Sequence, residues 1–243
     1  MEKTDVRYGA YIQILKEELV PAMGCTEPIA LAYGAAVARD ILGGMPDRVK
    51  VQASGSIIKN VKSVIVPNTG HLKGIPAAAA AGIVAGDASR ELEVIAHVDS
   101  DKVGKIREFM ENTPIDVEYV DNNITFDIIV TLWKGGDSAL VRIANYHTNI
   151  VRKEKNGQVL FDIPVADESE EGLTDRTLLT MEGIWDFITT MDVEDVKELL
   201  DRQVNYNMAI AEEGIKGNYG ANIGKVLLDT YGDDVRTRAK AMA

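Results

Sequence analysis

The residue with the widest chemical reach in this 243-residue sequence is its single cysteine, Cys25, in the segment Pro21-Ala22-Met23-Gly24-Cys25-Thr26-Glu27-Pro28. Pro28 suits the first turn of a helix and Gly43-Gly44 suits its stop, so a tight loop is expected to lead into a helix from about Pro28 to Leu42. A thiol at such a helix start meets free backbone N–H groups and the positive end of the dipole. Both favour thiolate, the form that attacks carbon or binds metal. Glu27 is placed to act as a neighbouring base or to orient the thiol. On local features alone, a lone cysteine is more often a small buried residue filling space.

A second group is Lys59-Asn60 with Pro67-Asn68-Thr69-Gly70. Both stretches read as ends of adjacent strand-like segments, where loop residues converge on ligands. Lys59 would supply charge, and Asn60, Asn68 and Thr69 hydrogen bonds, to an anion such as a substrate carboxylate. Ordinary turn chemistry explains the same residues. His147, in His147-Thr148-Asn149, has the side chain best suited to move protons near neutral pH, although a lone strand histidine is more often structural. Gly217-Asn218-Tyr219-Gly220 follows no strand, so its glycines read as helix caps, not a dinucleotide loop. No CxxC, HExxH, GxSxG or GxxxxGK[ST] pattern occurs.

The elements that must hold these residues are legible in outline. Tyr8, Tyr11, Ile12, Leu15 and Leu19 have helical spacing up to Pro21. Val49 to Ile58 and Val61 to Val66 read as strands, then Ile75 to Ala85 as a helix of small residues. Glu91 to Val98 reads as a strand and Asp101 to Asn112 as a helix. Ile115 to Val120, Ile124 to Trp133, Ala139 to Arg152 and Gln158 to Ile163 read as a sheet, with Asn156-Gly157 as a hairpin turn. Beyond the acidic stretch Asp167 to Gly172, helices are expected over Leu178 to Thr190, Val193 to Ile210 and Asn222 to Tyr231. The expected fold is α+β, with helical N- and C-terminal parts around a central mixed α/β portion. Its expected division is residues 1–45 with the cysteine loop, 46–166 as the centre, and 167–243 packing with 1–45.

A net charge of -12 and the lack of a basic run argue against nucleic acid as a partner. One cysteine excludes an internal disulfide framework. The start lacks signal-peptide texture, and the apolar run Gly74 to Gly86 is too short to span a bilayer, so a cytoplasmic protein without membrane contact is expected. A homo-oligomer is the base expectation for self-association.

Four segments in order resemble one family. Pro21 to Ala30 resembles the cysteine-bearing signature of L-cysteine desulfidases and the related L-serine dehydratase alpha chain. Ile58-Lys59-Asn60-Val61, the turn Pro67 to Gly70 before the helix Gly74 to Ala85, and His147 to Ile150 match later segments of that family. The resemblance implies a lyase that eliminates hydrogen sulfide from L-cysteine, or water from L-serine, giving pyruvate and ammonia through an aminoacrylate. It implies a 4Fe-4S cluster acting as Lewis acid. Cys25 would be either a cluster (metal) ligand or the base that removes the α-proton. Glu27 would orient it, His147 would assist proton transfer, and Lys59, Asn60 and Thr69 would hold the substrate carboxylate or amine. Members of that family are longer, with further cluster cysteines in a C-terminal half, and Thr237 to Ala243 reads as a helix without a stop signal. The 243-residue chain is therefore expected to hold no cluster and to be inactive alone. Two other readings remain open: a non-catalytic amino-acid-binding or assembly module on the same scaffold, and a cysteine hydrolase pairing Cys25 with His147.

Overall fold

The computed structural model describes residues 1–22, 24–165 and 174–242. The acidic stretch 167–172, the expected boundary at 166/167 and the final residue of the last expected helix lie outside these. The fold is α+β, with a six-stranded mixed sheet in the middle of the chain and helices at both ends. It divides into two compact units, Met1–Val20 with Glu170–Ala243, and Pro21–Ser169. No helix among the described residues is long and apolar enough to cross a membrane.

In the larger unit the sheet order is β2-β1-β3-β4-β5-β6. The strands are β1 (Arg48–Ala53), β2 (Ile115–Tyr119), β3 (Asp127–Lys134), β4 (Asp137–Ala144), β5 (Ile150–Lys155) and β6 (Gln158–Asp162). β1 and β2 run parallel and every other neighbouring pair antiparallel. The β5–β6 turn is Asn156-Gly157, both at positive φ (52° and 75°), the geometry this dipeptide favours.

Helix α2 (Thr26–Leu42) lies against β3 and β4 on one side and α4 (Gly74–Ala85) on the other. Being covered on both sides, it is apolar nearly all round: Ile29, Ala30, Leu31, Ala32, Ala35, Ala36 and Ala38 have no exposed surface. The α2–α4 contact is close because α4 is built of Ala77 to Ala81 and Gly82. A Cβ added at Gly82 would lie 2.0 Å from the Ala32 carbonyl oxygen. Helix α5 (Ser100–Asn112) packs on α4.

Several expectations are corrected. Helix α2, grouped by its sequence with the N-terminal helix, belongs with the sheet, and the units divide at Val20/Pro21 instead of residue 45. The run Val49 to Ile58 splits after Ala53, and Gly55–Val61 forms a short helix, α3, burying Ile57 and Val61 one turn apart. Of the expected strand Val61 to Val66, Val61 ends that helix and the rest is a loop with a bridge from Ile65 to Lys73. Lys59-Asn60 thus lies on a helix, not between paired strands. Glu91 to Val98 is not a strand: a 3-10 turn covers Ala88–Glu93, opened by the Asp87 carboxylate accepting from the Ser89 N–H at 3.0 Å.

In the smaller unit, α1 (Val6–Glu18) packs on α6 (Met181–Thr190) and α7 (Glu194–Lys216). Tyr8 and Tyr11 meet Phe187 edge-on at 5.3 and 5.4 Å. The Tyr8 hydroxyl donates to Asp195 at 2.7 Å and the Tyr11 hydroxyl to the Leu178 carbonyl at 2.6 Å. Arg176 pairs with Glu17 at 2.6 Å. Helices α8 (Ile223–Tyr231) and α9 (Val235–Met242) follow, and Gly217 caps α7 as expected.

Gly82→Val should drive a side chain into the Ala32 carbonyl and destabilise the sheet-containing unit by about 3 kcal/mol, at the upper end for overpacking. Urea unfolding followed by the fluorescence of Trp133, which lies on β3, measures it; an unchanged midpoint would contradict the close approach.

Candidate functional site

Cys25 occupies the N-cap position of α2, with extended backbone (φ -63°, ψ 122°) and no side-chain capping bond. Gly24 before it takes φ 84°, a left-handed conformation in which glycine is at ease, and this turn brings the loop against Pro67. The Cys25 thiol donates instead to the Glu27 carboxylate, Sγ to Oε2 3.0 Å. The other carboxylate oxygen accepts from Asn60 Nδ2 at 3.2 Å, reaching across from α3. His147, on the β4–β5 connection, feels the Glu27 charge. Cys25, Glu27 and Asn60, all singled out for chemistry by sequence, therefore form one hydrogen-bonded group in the larger unit, and His147 lies within range of its charge.

Others go elsewhere. Lys59 is exposed, one residue along α3 from Asn60. Asn68, at φ 59°, donates to the carbonyls of Ile95 and Ala96 at 3.0 and 3.2 Å. Thr69 is fully buried, its hydroxyl donating to the Val66 carbonyl at 2.7 Å. Both side chains brace the turn: the Thr69 hydroxyl is buried in it, and the exposed Asn68 uses its amide N–H groups on it. The turn itself supports the cysteine loop through Pro67.

Protonation differs from the sequence expectation of a thiolate. Cys25 as a residue is exposed, but its sulfur turns toward Glu27. Lost hydration there raises the thiol above its ordinary pKa, and the hydrogen bond to Glu27 and its negative charge raise it further. A carboxylate at hydrogen-bond distance outweighs the helix dipole. Glu27 is itself held below the ordinary carboxylate range, chiefly by the Cys25 hydrogen bond and, more weakly, by Asn60 and His147. Burial lowers His147, against a smaller opposing pull from Glu27. Near neutral pH the group is a protonated thiol, an ionised carboxylate and a neutral imidazole: one proton to give and two sites to take one. The thiol bonds Glu27 and not His147, so the Cys–His pairing that a cysteine hydrolase needs is not the contact formed.

The imidazole is held by residues the sequence reading passed over. Phe126 packs on His147 with ring centroids 4.5 Å apart, and its carbonyl accepts from the Asn145 N–H at 2.9 Å. Next to it Asp127, fully buried, is gripped by Arg142 through two bonds of 2.9 and 2.8 Å, and also by Asn122. Asp127 and Arg142 are diagonal neighbours across β3 and β4. A lone acid at the start of the apolar run Ile128 to Leu132, with a lone arginine inside Ala139 to Ala144, was the available signal. Asn149 closes the histidine loop by donating to the Ala144 carbonyl at 2.9 Å.

With one cysteine in the chain, and no group of three or more His, Cys, Asp or Glu side chains placed to hold a metal ion among the described residues, this site does not fit an iron–sulfur cluster by itself. Cys25 offers at most one ligand.

The arrangement is that of a small polar acid–base site on an α+β scaffold. Comparison with known proteins adds relatives, not a reaction. The chain is similar to a UPF0597 protein of Desulfitobacterium hafniense, 54% identical over 243 residues, which is 100% of this chain and 56% of the relative. UPF0597 proteins of Lachnoclostridium phytofermentans and Treponema denticola are 45% and 43% identical, each over 97% of this chain and 56% of the relative. The chain thus spans little more than half the length of the curated relatives it matches. These names specify no reaction, so the likeness to desulfidases and dehydratases rests on the sequence motifs. No family model matches the chain, and no solved structure does.

Glu27→Gln removes the charge that holds the thiol protonated. The Cys25 alkylation profile should then shift to lower pH, with faster modification at neutral pH. A pH series with iodoacetamide on both forms measures this, and a shift to higher pH would contradict the assignment.

Proposed function

We propose that this chain contributes the acid–base site of a lyase that eliminates hydrogen sulfide from L-cysteine, or water from L-serine. The observation that carries the reading is the hydrogen-bonded group of Cys25, Glu27 and Asn60, with the His147 imidazole within range of the Glu27 charge. Elimination needs one group to take the weakly acidic α-proton and another to supply a proton to the departing sulfur or oxygen. A neutral imidazole and an ionised carboxylate can take the first, and a protonated thiol can give the second. Asn60 orients the carboxylate, and Lys59 offers positive charge for the substrate carboxylate. Loss of the leaving group yields an aminoacrylate, which tautomerises and takes up water to release ammonia and pyruvate. A cluster of the kind implied by the resemblance would need thiolates from beyond this chain, with Cys25 as the ligand or as the proton-transfer group.

The test is anaerobic assay of L-cysteine and L-serine, using a form that carries the additional length of its relatives after iron–sulfur reconstitution. Equimolar sulfide and pyruvate from cysteine, or pyruvate from serine, is expected. Cys25→Ala should lower turnover by about two to four orders of magnitude. Full activity in that variant would sink the site assignment. Silence with both substrates alongside tight calorimetric binding of either amino acid would favour a binding module.

A further inference from the structure

The helical unit leaves uncovered more apolar surface than its own core accounts for. Helix α7 is 23 residues long and buries one, Val196. Helices α8 and α9 bury none. Yet all three are amphipathic: Val204 and Met208 lie one turn apart on α7, and Ile223 and Val226 share a face of α8, exposed at 56%, 44%, 68% and 56%. Met208 and Ala211 of α7 face Val235, Ala239 and Met242 of α9 across an apolar groove of about 440 Å³. Helix α6 repeats the pattern. It buries Phe187 toward α1, while Met181, Trp185 and Ile188 on another face are exposed at 78%, 68% and 53%. Short helices with no buried face are marginal in water, so such sequences are stable only when something covers them.

We propose that the α7–α9 face seats the additional polypeptide carried by the longer relatives, whether joined to this chain or supplied as a separate subunit. The relative from Desulfitobacterium hafniense aligns along the whole of this chain and has 44% of its length left over, a domain-sized remainder. A remainder of that size can bury a three-helix face, and the apolar groove defines where a helix or loop from it inserts. The seat lies within the helical unit and does not depend on which reaction the acid–base site performs.

Hydrogen exchange on this chain and on the full-length Desulfitobacterium hafniense relative tests this without an activity readout. Segments matching α7, α8 and α9 should exchange roughly tenfold or more slowly in the longer protein, with those matching α2 and α4 unchanged. Equal exchange of α7 to α9 in both proteins would overturn the proposal. So would light scattering that shows this chain alone as a dimer with α7 to α9 already protected, because a second copy would then be the cover.

Discussion

The approach of α2 to α4 at Gly82 and Ala32, with no room for a Cβ between them, is the contact on which the position of everything at the site depends. It lets α2 lie as a middle layer, with α4 on one side and β3 and β4 on the other. A helix covered that way has its axis and register set by packing at native density. Its first turn then carries Cys25 and Glu27 to a defined place, where α3 presents Asn60 and the β4–β5 connection holds His147 within range of the Glu27 charge. The alanines of α4 therefore help to position a polar group at the far end of a different helix.

Electrostatics at that place follow from partial burial. Loss of water raises the thiol and lowers the imidazole, which leaves both neutral, while hydrogen bonds keep Glu27 as the single charge. A lone carboxylate bonded by a thiol and an amide is a small acceptor site that can exchange protons without reorganising. The buried Asp127–Arg142 pair has another part. Pairs of this kind add little net stability, but removing one partner strands a charge. Here the pair and Asn122 pin the segment that carries Phe126, and Phe126 fixes the plane of His147.

Much of this was legible in the residues themselves. Period and punctuation located α1, α2, α4, α5 and most of the sheet, although the run Ala139 to Arg152 is two strands, β4 and β5, joined by the connection 145–149 that carries His147. Asn156-Gly157 marked its hairpin because few other dipeptides accept two positive φ values. The failures have physical causes. Ile57-Ile58 is β-branched and reads as strand, but Ser54-Gly55 ends the ladder, and burying Ile57 with Val61 favours a helical turn. Asn60 reached the site from that helix for a reason the strand reading could not contain. Asn68 and Thr69 also serve the turn itself, through a left-handed backbone at Asn68 and a buried hydroxyl at Thr69, which their residue types alone do not reveal. The thiol's protonation was invisible because it depends on which way one carboxylate points.

The central claim is that packing buries His147 within range of the Glu27 charge, so that burial lowers its pKa and the carboxylate opposes the shift. The most direct measurement is the His147 pKa, followed by NMR of the imidazole through a pH titration, in the unaltered chain and in Glu27→Gln. The account predicts a value below that of an ordinary histidine, which falls further once the carboxylate's charge is gone. An unperturbed value that ignores the substitution would contradict it.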